Sequence, residues 1–246
     1  MHRRLVVICA VVGSSLGLAA CGSSTSTPSV PNGLSGSSGS ALVAAASAAI
    51  LAQQSMQVKN DEKVGTITAS VINRTTLTAG EQVVTGITGN GQVKVVGGKT
   101  YVYGDNGWLS NTFGSGTNQG MYANQWILVP ASDPNYQSIH SGVVLPSLVG
   151  QVMPVGPFTV EGIKKFNGKD AYAIKGSLNA QTNQGTTGSD TLYLSLSKPY
   201  LPLGVKASTS FSGEKATITA TFSDYGKSFT ITAPTTSLVS TSTSLQ

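Results

Sequence analysis

Gly65-Thr66-Ile67-Thr68-Ala69-Ser70-Val71 alternates polar side chains with apolar or small ones, and the reading of this stretch decides the fold. A period of two puts one set of side chains on each face of an extended strand, so the run predicts a half-buried β-strand. The same grammar continues through Glu81–Thr88, Gln92–Val96 and Thr100–Tyr103, with Asn90-Gly91 and Gly97-Gly98 between runs, where tight hairpin turns belong. It resumes at Phe158–Lys165, Lys169–Leu178, Ser189–Leu196, Leu203–Phe211, Lys215–Phe222 and Ser228–Thr232. Asn167-Gly168, Gly185 with Gly188, Pro199 with Pro202, and Gly213 punctuate those strands. Many antiparallel strands with few crossover helices predict an α+β chain with one large meandering sheet, and about nine or ten strands curl rather than lie flat.

Upstream of the strands, Ala41–Gln57 (ALVAAASAAILAQQSMQ) reads as one long N-terminal helix, dense in Ala and Leu, with Ser40 as N-cap and Leu42, Val43, Ala46, Ile50 and Met56 on its apolar face. The middle, about 105–154, is irregular and carries Trp108, Phe113 and Trp126. Val143–Val152 predicts a second short helix, with Pro146 in its first turn. One or two short helices beside a long one leave much sheet to cover. Either the core fills tightly, or an apolar ligand, a partner or the membrane closes the remainder.

The N-terminus gives an address. His2, Arg3 and Arg4 precede an apolar run of about 14 residues, and Leu18-Ala19-Ala20-Cys21-Gly22 closes it. Small residues before a cysteine form a lipobox, in which the thiol of Cys21 is acylated and residues 1–20 are removed as a signal peptide. The run is short of the roughly 20 residues that span a bilayer, so a transmembrane helix is the weaker reading. A signal peptide cut without lipidation is the other alternative. Residues 22–40 hold 16 Gly, Ser, Thr or Pro in 19 and no charge, the composition of a flexible tether over 21–40. The domain is expected over 41–234 and a flexible tail over 235–246.

Cleavage before Cys21 takes Cys9 and leaves the mature chain without a disulfide or a cysteine-based metal site. It also takes Arg3 and Arg4, which lowers the formal net charge from +5 to +3. The remaining lysines are scattered, which argues against a nucleic-acid partner. Lys164, Lys165 and Lys169 flank Asn167-Gly168 as a solvated hairpin tip, with anionic lipid headgroups as a second reading.

Catalytic motifs do not survive their context. Gly13-Ser14-Ser15-Leu16-Gly17 matches a nucleophile elbow but lies in the signal peptide. Ser195-Leu196-Ser197-Lys198 and Ser212-Gly213-Glu214-Lys215 fit S-x-x-K, yet the first ends a strand, the second sits at a turn, and the companion motifs are missing. Gly86–Gly91 falls within a hairpin, so it is not a dinucleotide loop. His140 is the one histidine outside the signal peptide, with no acid or Ser selected beside it, and single acidic residues offer no metal site. The chain is therefore read as a non-enzyme without cofactor or metal.

Certain segments together resemble a family. The lipobox and tether lead into the Ala-rich helix, then into Gly98-Lys99-Thr100-Tyr101-Val102-Tyr103-Gly104 with Trp108 just after. Asn124-Gln125-Trp126-Ile127-Leu128-Val129-Pro130, Tyr200-Leu201-Pro202-Leu203 and Thr221-Phe222-Ser223-Asp224-Tyr225-Gly226 follow in order. This order resembles the LppX/LprG-type lipoproteins of mycobacteria and other actinobacteria, which are similar in fold to the LolA/LolB lipoprotein carriers. The resemblance implies a half-barrel sheet wrapped around helices, and a cavity that binds or carries an apolar envelope lipid or lipoglycan. It also implies a protein anchored by lipid on the outer face of the bacterial cell membrane. Alternating strand positions that could line such a cavity are Ile67, Ala69, Val71, Phe158, Val160, Leu192, Leu194, Leu196, Ile218 and Phe222. A filled core that instead serves a protein partner of the envelope is the alternative.

Overall fold

The computed structural model describes residues 30–64, 67–86, 88–114, 119–178, 187–211 and 214–239. In chain order these form α1 (Gly39–Ala52), β1 (Ser55–Val64), β2 (Ile67–Thr76), β3 (Gly80–Gly86), β4 (Gly89–Val96) and β5 (Lys99–Gly104). Then come α2 (Asn106–Phe113), α3 (Gln119–Tyr122), β6 (Ile127–Val129), α4 (Tyr136–Ser141) and α5 (Leu145–Val152). The chain closes with β7 (Val155–Phe166), β8 (Lys169–Ser177), β9 (Thr187–Ser195), β10 (Pro202–Phe211), β11 (Glu214–Ser223) and β12 (Leu238–Val239). One sheet takes up all twelve strands in the order β12-β6-β5-β4-β3-β2-β1-β11-β10-β9-β8-β7. All neighbours are antiparallel except β12, which runs parallel to β6. The sheet is open, with β12 and β7 at its two edges. Helix α1 packs against β1, β7 and β8, strands up to five places apart, so the sheet wraps round it. Register shifts at Val160/Gly162 and Pro202/Gly204 bend β7 and β10 toward that curve. The fold is the α+β half-barrel.

Strand alternation divides the sheet into two faces. Val58, Asn73, Gln82, Val93, Val102 and Ile127 lie in one cross-strand row on the inner face. Two apolar clusters fill that face. The first joins Leu42, Val43, Ala46 and Ile50 of α1 and Leu145, Leu148 and Val149 of α5 to Val58, Ile174, Leu192, Val205 and Phe222. The second joins Trp108, Leu109 and Phe113 of α2 to Val93, Val95, Val102, Ile127 and Val129.

Three sequence expectations are corrected here. The stretch 41–57 is not one helix: α1 runs from Gly39 to Ala52 behind the Ser38 N-cap, whose side chain accepts from the Ala41 N–H at 3.3 Å. Gln54 at φ 62° turns the chain, and Met56 and Val58, two apart, then point inward as β1. Ten residues paired to β2 and seven to β11 outweigh helix propensity there. Second, Asn90-Gly91 is not a turn but lies inside β4. A Cβ on Gly91 would stand 2.2 Å from the Trp108 indole, so the glycine is spent on close approach of an aromatic ring. Gly97-Gly98 and Asn167-Gly168, by contrast, are turns at positive φ. Third, Ser228–Thr232 is no strand, because β11 already has β1 and β10 on its two sides. The chain leaves the sheet at Gly226, whose N–H donates to the Ser55 carbonyl at 3.1 Å.

Asp105 caps α2. One carboxylate oxygen accepts from the Trp108 N–H at 2.9 Å and the other from the Asn90 N–H at 2.7 Å. Slight burial pushes its pKa up, but these N–H groups outweigh that and hold it below the usual carboxylate range. Asp105→Ala is expected to cost about 1–2 kcal/mol at neutral pH. The penalty should shrink as pH falls through the carboxylate's folded pKa, which urea melts at pH 7 and pH 3 would read.

Candidate functional site

A cavity beside the first cluster lies between α1 and β9. It measures about 70 Å³, and its walls include Leu34, Leu42, Ala45, Ala46, Leu194 and Tyr200. Small residues on α1 create it: Ala45 and Ala46 face positions where larger side chains would close the gap. Leu34 is part of its wall. The turn that carries it is held by the Leu34 and Ser35 N–H groups donating to the Pro31 carbonyl at 2.9 and 3.1 Å. A Cβ on Gly33 would stand 2.7 Å from the Tyr200 ring, so this turn lies flat against the tyrosine. Leu34 is 2% exposed.

Of the residues singled out from sequence, Leu192, Leu194 and Phe222 are buried in the first cluster, and Phe158 and Leu196 pack against it. Leu194 alone of these lines the cavity. Ala69, Val71 and Ile218 sit on the inner face at register positions away from that cluster, opposite Glu62, Asn60 and Glu62 respectively. Val160 is 37% exposed on the edge strand. The side chain of Ile67 and the whole of Cys21 lie outside the described residues.

Beyond the helices, the inner face carries two carboxylates. Glu62, Ile218, Ala207 and Asp190 form a single cross-strand row through β1, β11, β10 and β9. Burial pushes the pKa of both Glu62 and Asp190 up to about 7. Among the described residues Glu62 Oε1 is buried without a hydrogen-bond partner, and neither carboxylate joins an ion pair. His140 stands on the other half of the sheet. Its Nδ1 is 2.9 Å from the Thr100 hydroxyl and its ring stacks on Tyr136 at 5.2 Å, so it is engaged in holding α4 to β5. Among the described residues no group of three or more His, Cys, Asp or Glu could hold a metal ion, and no helix is long and apolar enough to cross a membrane.

No family model matches the chain, and no curated protein matches it. Solved structures do. LprF from Mycobacterium bovis is similar at 16% identity over 80% of this chain and 96% of its own, with a TM-score of 0.47. The Mycobacterium tuberculosis lipoprotein LppX is similar at 15% identity over 75% and 99%, with a TM-score of 0.41. An uncharacterized conserved protein from Thermus thermophilus is similar at 13% identity over 78% and 97%, also at 0.41.

The cavity wall that sequence reading missed comes from Leu34, Ala45, Ala46 and Tyr200. A signal for the first existed. Val30 and Leu34 are the only large apolar residues between 22 and 40, four apart in an otherwise polar run, and both pack on the core.

Proposed function

We propose that this chain is a non-enzymatic lipoprotein, anchored through acylated Cys21 on the outer face of the bacterial cell membrane. In this reading it binds or carries an apolar envelope lipid or lipoglycan between α1 and the sheet, and takes no cofactor or nucleic acid. The observation that carries the reading is the apolar cavity at Leu194, whose walls include the buried side chain of Leu34. At about 70 Å³ it is well below the roughly 300–1,000 Å³ of ligand pockets, so loading requires the Pro31–Gly36 turn to lift. Exposing Leu34 costs about 2 kcal/mol, whereas burying an acyl chain returns about 0.8 kcal/mol per CH₂. Sixteen carbons supply on the order of 10 kcal/mol before ordering costs, so lipid wins that exchange.

Native mass spectrometry of the full chain, with palmitate and phospholipid added, tests it. The expected result is a lipid adduct that Leu34→Ala increases and Ala45→Phe, a bulky change at an exposed wall position, reduces by about tenfold. A clean apo mass with no uptake by any variant would overturn the carrier reading in favour of a filled core serving a protein partner.

A further inference from the structure

A second cavity, about 290 Å³, opens on the outer face of the sheet at its β12 edge. Its walls are Tyr103 of β5, Asn124-Gln125-Trp126 leading into β6, and Thr236-Ser237-Leu238 leading into β12. Tyr103 alternates with Val102, which faces the second apolar cluster, so this site and the cavity at Leu194 are on opposite faces.

Its chemistry is specific. The Trp126 and Tyr103 rings meet at 5.4 Å with 46° between their planes, an angled floor rather than a slot for a flat ring. Lys94 Nζ sits 5.1 Å from the indole centroid and 3.6 Å from Glu81, which steadies Trp126. The Gln125 amide is oriented, since its Nε2 donates to the Met121 carbonyl at 2.8 Å and leaves Oε1 as acceptor. Asn124, at φ 60°, is held by its N–H donating to the Gly104 carbonyl at 2.7 Å, and its side-chain amide has no hydrogen bond within the described residues. Thr236 and Ser237, which carry hydroxyls, are among the lining residues. Among the described residues no charged side chain lines the cavity.

We infer that this outer-face cavity is a binding site for a neutral saccharide, with one sugar ring set on the Tyr103–Trp126 floor and its hydroxyls on the Asn124 and Gln125 amides. A pyranose presents a stepped C–H face to aromatic rings and hydroxyls at its rim, which is the arrangement offered here. A purely apolar ligand would leave the two amides desolvated and unpaired, and an ion would meet no charged residue in the described lining, the nearby Lys94 being paired with Glu81. The C-terminal wall is attached by the Leu238 N–H donating to the Trp126 carbonyl at 2.9 Å and by a two-residue parallel pairing. A ligand that bridges both walls therefore fastens the tail to the sheet.

Saturation-transfer NMR of the full chain with methyl glycosides of glucose, galactose, mannose and N-acetylglucosamine tests this, with adenosine and sorbitol as controls. At least one glycoside should receive saturation on its ring C–H protons and shift the Trp126 indole N–H. That signal can be assigned because Trp108, the other tryptophan, is buried. Trp126→Ala should weaken binding by about tenfold and Asn124→Ala by several-fold, while acyl-chain uptake stays unchanged. Ligand should also slow amide exchange at Leu238. If Trp126→Ala proves misfolded by circular dichroism, Asn124→Ala with Tyr103→Phe decides the matter. No transfer from any glycoside up to its solubility limit, transfer unaltered in the variants, or binding of adenosine alone would overturn the inference.

Discussion

Trp108→Ala is expected to lower the free energy of unfolding by about 3–5 kcal/mol, the usual range for deleting a large buried aromatic side chain. The indole is 3% exposed and belongs to a cluster with Leu109, Phe113, Val93, Val102 and Ile127. It lies against bare backbone, since a Cβ on Gly91 or Gly104 would come within 2.2 and 2.5 Å of the ring. With glycine on both strands, no neighbouring side chain can rotate into the space, so the cavity stays open and the loss falls at the upper end. Urea titration should show a lower midpoint with an unchanged slope, the signature of lost stability in an otherwise similar transition. A loss below about 1 kcal/mol would mean that the sheet collapses onto α2 and that the ring is not what separates them.

Stability is expected to fall as pH rises from about 4 to 8, by roughly 2–4 kcal/mol for Glu62 and Asp190 together. Ordinary carboxylates titrate near pH 4, and burial raises both of these to about 7 in the fold. Between those values the folded state holds protons that the unfolded chain releases. The stabilisation is therefore complete below the unfolded pKa and is lost as pH rises through the folded one. The sum is kept below the full linkage because Glu62 retains contact with solvent. Asp105 slopes the other way, with its contribution lost only as pH falls through its lowered pKa. Urea midpoints at pH 5 and pH 8.5 give the sign directly. Glu62→Gln with Asp190→Asn should flatten the difference, and an equal slope in that double variant would assign the pH dependence to other groups.

Where sequence reading failed, the failures share a cause. Asn90-Gly91 satisfies the local rule for a hairpin turn, but Trp108, 17 residues downstream, needs a strand without a side chain at that point. Met56 and Val58 extend a helical apolar pattern just as well as they begin an alternating one, and only pairing to β2 and β11 selects the second. Ser228–Thr232 alternates like a strand, but β11, the strand just before it, already pairs with β1 and β10 on both sides. Pro146 in the first turn of α5 and the turns at Gly97-Gly98 and Asn167-Gly168 were legible, because fixed or positive φ is a property of the residue itself.

The sequence by itself determined the alternating strands, the Ala-rich helix before them, most of their turns and the α+β class, since periodicity and φ preference act over neighbouring residues. The small residues before Cys21, from which a lipobox is expected, are likewise a purely local pattern. Only the tertiary structure decided that Leu192, Leu194 and Phe222 belong to the cluster under α1 while Ala69 and Val71 stand apart from it. It alone brought Leu34 onto Tyr200, and Tyr103 and Trp126 together with the 236–238 segment into one outer cavity. Those contacts join residues far apart in the chain, and their positions follow from sheet order and curvature, which no short stretch of sequence encodes.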